Sequence, residues 1–184
     1  MKRFLSLTLC VLLLLLVSTG CGDMNNDASS TPSAGEMRYT ASQILDTVKS
    51  AYGSDYLPDT EMLEDRLNDE FPIDKALVKE IRAEMPTLGT TPDRLVAVVA
   101  NDGKGEEVEN ALKAARNSMI AGTSVTDDGH AKVSASRVVR NGDYVCYIML
   151  GANNVDDTIS ESAKLDYAKR QVNRGVNAFN SMFA

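Results

Sequence analysis

The chain opens with an almost uninterrupted run of apolar residues, positions 4–17, which follows two basic residues. Small residues close this run and end at Gly20, directly before Cys21. A charged start, a short apolar stretch and a small-residue exit are typical of a secretory signal peptide. The run is shorter than the ~20 residues that a transmembrane helix needs. We therefore predict that residues 1–20 form a signal peptide and that the rest of the chain is exported.

The position of Cys21 after small residues resembles the lipobox of bacterial lipoproteins. The resemblance implies cleavage between Gly20 and Cys21 and attachment of a diacylglyceryl group to the cysteine, which becomes the new N-terminus. One position departs from the usual pattern, because Ser18 stands where leucine is common and the apolar Val17 lies one step earlier. Ser18 and Gly20 also satisfy the small-x-small rule of ordinary signal peptidase. A secreted soluble protein with a free Cys21 is therefore the alternative.

Residues 22–39 are small and polar and show no apolar periodicity. Such a segment buries too little apolar surface to offset the entropy of ordering it. We predict that residues 21–39 are a flexible tether, lipidated at Cys21. The remaining residues, 40–184, have the length of a single domain. The predicted location is the outer, extracytoplasmic face of the cell membrane, reached through the lipid.

Apolar positions spaced by three and four predict three helices in the first part of this domain. The first covers residues 41–52, with Thr40 or Ser42 as its N-cap. The second covers residues 60–70, and the third covers residues 74–84 and ends before a proline. The apolar stripes of the second and third helices are Met62, Leu63 and Leu67, and Leu77, Val78, Ile81 and Met85.

The pattern changes at residues 95–100, a β-branched run between turn signals that predicts a buried strand. Residues 106–119 return to helical spacing. The dipeptide Asn141-Gly142 then separates two strand-like runs and predicts a hairpin with a two-residue loop. This loop predicts a register in which Arg140 faces Asp143, Val139 faces Tyr144, Arg137 faces Cys146 and Ala135 faces Ile148.

The two predicted hairpin strands differ in polarity. Residues 144–150 are apolar on both faces, whereas the strand before the loop, predicted from about residue 133, contains serines and arginines. A strand that is apolar on both faces belongs inside a covered sheet, whereas a strand with serines and arginines belongs near an edge. Residues 161–183 form the last predicted helix. The predicted fold class is α+β: N-terminal helices, then a β-α-β-β-α unit whose three-stranded antiparallel sheet has the order 1-3-2 and is covered by helices.

Charge and cysteine content limit the partners and the chemistry. Without residues 1–20 the chain has 17 basic and 26 acidic residues, a net charge of −9. Nucleic acid is therefore not expected as a partner, because lysine and arginine must neutralise its phosphates. Of the three cysteines, only Cys146 remains in the domain, so no intramolecular disulfide can form there. We predict that Cys146 is a small buried side chain, with a reactive thiol as the alternative.

The sequence contains no motif that would name a catalytic or metal-binding activity. The one histidine, His130, lies in a predicted turn and belongs to no recognised nucleophile–base pattern. Residues 103–105 lack the earlier glycine of a phosphate loop and fit a hairpin turn or the start of a helix. The acidic clusters at residues 127–128 and 153–157 lack the ligand spacing of an EF-hand. We predict no catalytic residue, no metal and no cofactor.

A few further polar and aromatic residues have simple explanations. The acids Glu106, Glu107 and Glu161 lie at predicted helix starts, where the helix dipole favours negative charge. Tyr39 and Tyr56 are placed in loops, where a contact with a partner is conceivable but isolated exposed aromatics need no explanation.

The order of these short segments resembles the DUF4358 domain lipoproteins of Clostridia and related Gram-positive bacteria. A lipobox and a polar tether are followed by Ser42-Gln43-Ile44-Leu45, by Phe71-Pro72-Ile73-Asp74 and by Met85-Pro86. Residues 93–100, a helix through Leu112 and residues 141–145 come next. The resemblance covers nearly all of residues 40–183. It implies a location and a fold, but no catalytic residues.

Three kinds of function are compatible with this sequence. A non-enzymatic, membrane-tethered domain that binds an envelope protein or a small ligand predicts an apolar groove or patch beside the sheet. An envelope enzyme based on carboxylates predicts a deep pocket with converging acids of raised pKa. A structural accessory domain predicts a surface without a pocket. We favour the first of these.

Overall fold

The computed structural model describes residues 38–88, 91–124, 129–152 and 158–184. Within these ranges the helices are α1 (Ala41–Ser50), α2 (Glu64–Glu70), α3 (Gly105–Gly122), α4 (His130–Ala135) and α5 (Glu161–Ser181). The strands are β1 (Thr60–Glu61), β2 (Val78–Met85), β3 (Arg94–Ala100), β4 (Arg137–Asn141) and β5 (Tyr144–Met149). Two short 3₁₀ turns, Gly53–Asp55 and Lys75–Leu77, precede β1 and β2.

The strands form one antiparallel sheet with the order β1-β2-β3-β5-β4. The predicted α+β class and antiparallel pairing are confirmed. The strands predicted from the sequence occupy the positions of β3, β5 and β4. The predicted three-stranded sheet is wrong, however, because β2 and β1 extend it to five strands beyond β3.

Helices cover both faces of this sheet. On one face, α1 and α5 pack against alternate residues of the two central strands, β3 and β5, and against Leu150, which follows β5. The alternate residues are Leu95, Ala97, Val99, Cys146 and Ile148. On the other face α3 and the segment from Met62 to Phe71 pack against Val96, Val98, Ala100, Val145, Tyr147 and Met149. Successive side chains of a strand point to opposite faces, so both central strands are apolar on both faces, apart from Arg94 at the start of β3.

The helix predicted over residues 74–84 is wrong, since this segment is the 3₁₀ turn Lys75–Leu77 followed by β2. Val78 and Ile81 are three residues apart and both pack on the α3 face, which imitates the spacing of a helix. The cause is an irregularity between Val78 and Glu80 in the pairing with β3, which shifts the alternation by one residue. Pairing along β3 then decides the conformation against the local helical pattern.

The second predicted helix begins four residues too early. Residues 60–61 form β1, whose Thr60 and Glu61 pair with Met85 and Glu84 of β2, and the helix itself is only Glu64–Glu70. Two helices therefore precede the central strands in the described ranges, instead of three. The other helical predictions are confirmed as α1, α3 and α5, and Thr40 is the N-cap of α1, where its side chain accepts from the Gln43 N–H.

The hairpin register also differs from the prediction. The loop is Gly142–Asp143 rather than Asn141–Gly142, because Asn141 pairs with Tyr144 and Val139 pairs with Cys146. Each residue of β4 therefore lies opposite a residue two positions further along β5 than predicted. A shift of two positions keeps every side chain on its predicted face.

The strand predicted to begin near residue 133 begins at Arg137, and the residues before it form α4. The helix is fixed by long-range contacts that the local sequence does not reveal. The Arg116 guanidinium of α3 donates to the carbonyl oxygens of Ser134 and Ser136 at 2.9 and 2.6 Å. Lys132 pairs with Asp93, which directly precedes β3. These partners favour a helical turn over an extension of β4.

Candidate binding groove at the edge of the sheet

The chain leaves the sheet after β1 and returns to it after α2. Met62, at the start of this excursion, is buried, and Phe71, at its end, is 1% exposed. The Phe71 ring packs edge-on against Tyr147 of β5, with the ring centroids 5.0 Å apart. The helix α2 is held between these two buried anchors. The space left between α2 and β2 is a groove of about 340 Å³, named here the α2–β2 groove.

The α2–β2 groove has an apolar floor and exposed polar side chains. Six of its ten lining residues are apolar: Met62, Leu67, Phe71, Ile73, Val78 and Ile81. The polar lining residues are exposed: Glu61, Glu64, Asn68 and Lys75. A concave apolar surface with a few polar groups is the usual composition of a ligand site, for which volumes of ~300–1,000 Å³ are common. The arrangement can bury an apolar group and interact with polar groups beside it.

Two of the exposed polar residues neutralise each other. Glu64 and Lys75 form an ion pair. Their hydrogen bond and mutual attraction lower the pKa of Glu64 and raise the pKa of Lys75. Both side chains therefore keep their charge near neutral pH, whereas a general acid or base works best with a pKa near the operating pH. Neither pKa is shifted toward neutral pH.

A cluster of charged residues holds the C-terminal end of α2 against the sheet. The Glu70 carboxylate accepts from Arg94 Nε at 2.8 Å and Nη2 at 3.1 Å, and from Arg66 one turn earlier on α2. Burial would raise the pKa of Glu70, but the bonds to the two arginines outweigh it and lower the pKa. The carboxylate stays ionised and fixes the position of α2 over the groove.

A second ion pair is buried at Asp93, the residue directly before Arg94. Lys132 Nζ lies 2.6 Å from Asp93 Oδ2, and the two side chains are 3% and 0% exposed. The second oxygen, Asp93 Oδ1, and the buried hydroxyl of Thr91 have no hydrogen-bond partner among the described residues. Burial lowers the pKa of Lys132, although the attraction of Asp93 opposes this. Neither side chain lines the α2–β2 groove, so we assign the pair to holding α4 against the start of β3.

The predicted lipidation site is not part of the described structure. Cys21 and the preceding Gly20 lie outside the described residues, as do the acidic clusters at residues 127–128 and 153–157. Cys146 is fully buried in β5, and burial raises the pKa of its thiol, so its prediction as a small buried side chain is confirmed. His130 was predicted in a turn but is the first residue of α4, with Nε2 3.4 Å from Ser134 Oγ.

The residues predicted at helix starts are where the sequence placed them. Glu106 and Glu107 lie in the first turn of α3, and Glu161 begins α5. Residues 103–105 lead into α3, which begins at Gly105, so the helix start is confirmed and the hairpin turn is wrong. The Asp143 carboxylate of the hairpin loop accepts from the N–H groups of Gly103 and Gly105, both at 2.9 Å. The side chain of Lys104, the N-cap residue of α3, makes no capping hydrogen bond, so Asp143 caps the helix instead.

The two loop tyrosines make contacts within the domain. Tyr39 donates to the Met182 carbonyl oxygen at 2.6 Å, and its ring packs edge-on to Phe183, with centroids 5.4 Å apart. Tyr56 donates to the Glu84 carboxylate at 2.8 Å. Both hydroxyl groups therefore have partners within the domain. No pattern in the sequence would have identified these partners.

The sequence interpretation missed the α2–β2 groove because it assigned two lining residues, Val78 and Ile81, to a helix. One signal could have revealed the strand. From Glu80 to Met85 polar or charged residues alternate with Ile81, Ala83 and Met85, and this period of two is typical of a half-buried strand.

Metal and membrane sites were also sought in the described part of the chain. No three histidine, cysteine, aspartate or glutamate side chains come together there in a way that could hold a metal ion. None of the helices in the same ranges is both long enough and apolar enough to cross a membrane.

A protein-family model described as "Domain of unknown function (DUF4358)" matches residues 51–150. This match includes α2, the α2–β2 groove and all five strands. No curated protein and no solved structure matches the chain.

Proposed function

Because this chain belongs to the DUF4358 family, whose description names no activity, we propose a function from its own geometry: it is a non-enzymatic binding module tethered to the cell envelope. The observation that carries the proposal is the apolar α2–β2 groove, about 340 Å³ in volume, with exposed charges beside it. Its ligand is an apolar group, presented by a small molecule or by another envelope protein.

The surroundings of the groove support binding over catalysis. Its charged pair, Glu64 and Lys75, holds both groups ionised, since the pKa of the carboxyl is lowered and that of the amine is raised. A carboxylate-based hydrolase would need an acid of raised pKa in the groove. A binding site needs only apolar area and a few polar groups that orient the ligand. The groove residues fit the second description.

The envelope location is proposed from Cys21 and the segment around it. Cleavage after Gly20 and lipidation of Cys21 would leave residues 22–37 between the membrane and Arg38, the first described residue. The Arg38 N–H donates to the Tyr144 hydroxyl at 2.8 Å, at the start of β5. The tether would therefore enter the domain beside the hairpin loop.

The binding proposal can be tested with indole as an apolar probe. The chain from residue 21 onwards, carrying Cys21→Ser, would be titrated while its methyl groups are observed by NMR. We expect saturable shifts of the groove methyl groups, those of Ile73 and Ile81 in particular. Leu57 and Leu88, which are 41% and 73% exposed outside the groove, serve as controls and should not respond. Equal responses at all exposed leucines, or none up to the solubility of indole, would overturn the proposal.

The anchoring proposal has its own test. The intact mass and detergent partition of the native protein would be compared with those of Cys21→Ser. We expect a lipid mass on the wild-type chain and partition into the detergent phase, both lost in the variant. A wild-type chain cut before Cys21 without added lipid would instead establish the secreted alternative.

A further inference from the structure

One edge of the sheet is open beside the α2–β2 groove. β1 pairs with β2 only at Glu84 and Met85. The last hydrogen bond of this pairing runs from the Met62 N–H to the Ala83 carbonyl oxygen at 2.8 Å. The chain then turns away into α2. In the described ranges no strand pairs with the outer edge of β2 before Ala83.

The backbone of Ile81 faces this open edge. The carbonyl oxygens of Ala83 and Met85 both accept from the β1 side, from Met62 and Asp59. Backbone groups along a strand repeat their direction every two residues. The N–H and C=O of Ile81 therefore point to the same side, where no strand continues β1. The Ile81 carbonyl oxygen accepts a hydrogen bond from Nη1 of the exposed Arg82 at 3.2 Å, so it has a side-chain partner but no strand partner. Edge groups that no neighbouring strand pairs are a template for an added strand.

A groove lies on each face of the sheet at this edge. The α2–β2 groove, with Ile81 in its lining, is on one face. On the other face, α1 and β2 form an α1-side groove of about 250 Å³ that includes Asp46, Glu61 and Glu84. Glu61 lines both. Alternate side chains of an extended segment point to opposite faces, so one set would enter the apolar groove and the other set would enter the acidic one.

The charges of the α1-side groove indicate which kind of partner side chain it would bind. Glu84 is paired with Lys49 at 3.0 Å. Neither Asp46 nor Glu61 forms an ion pair in the described part of the chain. Arg82 is the one basic side chain in the lining of this groove. The excess of carboxylates favours lysine or arginine in a partner.

We propose that the open edge of β2 binds an extended peptide segment of a partner protein, added to β2 in line with β1, in which apolar side chains alternate with lysine or arginine. This rests on the proposed function, since the apolar side chains occupy the same α2–β2 groove. Main-chain hydrogen bonds to Ile81 supply affinity, and the two grooves select the alternating side chains.

The probe is an acetylated and amidated peptide of four Lys-Val repeats, titrated into the ¹⁵N-labelled chain from residue 21 with Cys21→Ser. We expect saturable shifts at Ile81 and at least tenfold slower exchange of its amide hydrogen. The matched peptide of four Glu-Val repeats should bind at least tenfold more weakly. The variant Glu61→Lys should lower the affinity for the lysine peptide by a similar factor.

Backbone pairing is tested by N-methylation of the peptide at alternate residues. One peptide carries N-methyl groups on its valines and another carries them on its lysines. Only one of these two sets of N–H groups faces β2, so one peptide should lose binding at least tenfold and the other should keep it. Equal binding by both would overturn strand addition and leave the groove as a site for apolar side chains alone.

Three further results would overturn the proposal. If the lysine peptide does not bind while indole still occupies the groove, the peptide partner is wrong and the proposed function stands. If neither binds, both fail. A chain that sediments as a dimer, and that the peptide does not dissociate, would assign the β2 edge to a second copy of the protein instead.

Discussion

Glu70 and Asp93 are both withdrawn from solvent, and their partners differ. Glu70 is shared between Arg94 and Arg66, and each of its oxygens has a donor. Asp93 has a single described cation, Lys132, and leaves one oxygen without a hydrogen bond. Charges taken out of water are tolerated only with good pairing, and removing one partner leaves an uncompensated buried ion. The two sites therefore respond differently to substitution and to pH.

The variant Lys132→Met should be strongly destabilising. It leaves the Asp93 carboxylate buried without its cation, and losses of ~3–5 kcal/mol are usual for such a change. The double variant Lys132→Met/Asp93→Asn removes the charge as well and should recover at least half of the loss. Urea unfolding of the three chains measures this. A loss below ~1 kcal/mol in Lys132→Met would show that the pair contributes little.

Glu70 should make stability depend on acid pH. Its pKa is lowered in the folded state by Arg94 and Arg66, so folding favours the ionised form. This contribution is complete above the ordinary carboxyl pKa of ~4.3 and is lost as the pH falls through the lowered value. In Glu70→Gln the free energy of unfolding should therefore fall less steeply below pH ~4.3 than in the wild type. The control Glu64→Gln removes an exposed carboxylate, which solvent screens, and should change the slope little.

At the level of elements, two helices pack closely against their neighbours at glycine residues. At the start of α3, a Cβ on Gly105 would lie 2.1 Å from the Gly142 carbonyl oxygen, so the helix can approach the hairpin only with glycine there. In α5, a Cβ on Gly175 would lie 2.8 Å from the Tyr52 hydroxyl oxygen and 3.0 Å from Ile148 Cγ2. The close approach of α1 and α5 to the sheet depends on the missing side chain.

Asp143→Ala should destabilise the domain by ~1–2 kcal/mol, because two N–H groups at the start of α3 lose their acceptor. Asp143→Asn keeps an oxygen in place and should lose less. The measurement is urea unfolding, with amide exchange at Gly105 as a local reading. If alanine and asparagine have equal effects, the carboxylate does not cap the helix.

Gly175→Ala should also be destabilising, by ~1–3 kcal/mol, despite the higher helix propensity of alanine, because the new methyl group crowds Tyr52 and Ile148. Adding Tyr52→Phe removes the hydroxyl group and should reduce the effect of the alanine. Thermal or urea unfolding of the single and double variants gives the coupling between the two positions. Stabilisation by Gly175→Ala in the wild-type background would contradict the close packing.

The elements that sequence could predict are those whose local pattern agrees with their environment. Residues 95–100 and 144–149 are apolar on both faces and form the central strands β3 and β5. β2 was missed because its irregularity near Val78 gives a helix-like spacing between Val78 and Ile81. The start of β4 was misplaced because distant partners, Arg116 and Asp93, fix α4. The groove depends on β2, so it was missed together with that strand, although the alternation from Glu80 to Met85 was a signal for it.

For the whole molecule, the groove and the N-terminal entry can be related through the sheet. The first described residues contact Tyr144, at the hairpin end of β5. The groove lies along β2, near the opposite edge of the sheet from β4. The groove therefore lies away from the point where the described chain begins.

The most direct test of the binding groove uses the absence of tryptophan from this chain. Asn68→Trp places an indole on the face of α2 that lines the groove, and Asp65→Trp places one on the same helix at an exposed position outside its lining. We predict a blue-shifted emission for Asn68→Trp, because its own side chain occupies the groove, and loss of binding of added indole by methyl NMR. Asp65→Trp should emit as an exposed tryptophan and bind indole like the wild type. Identical emission and identical indole binding in the two variants would contradict the assignment of this groove as the binding site.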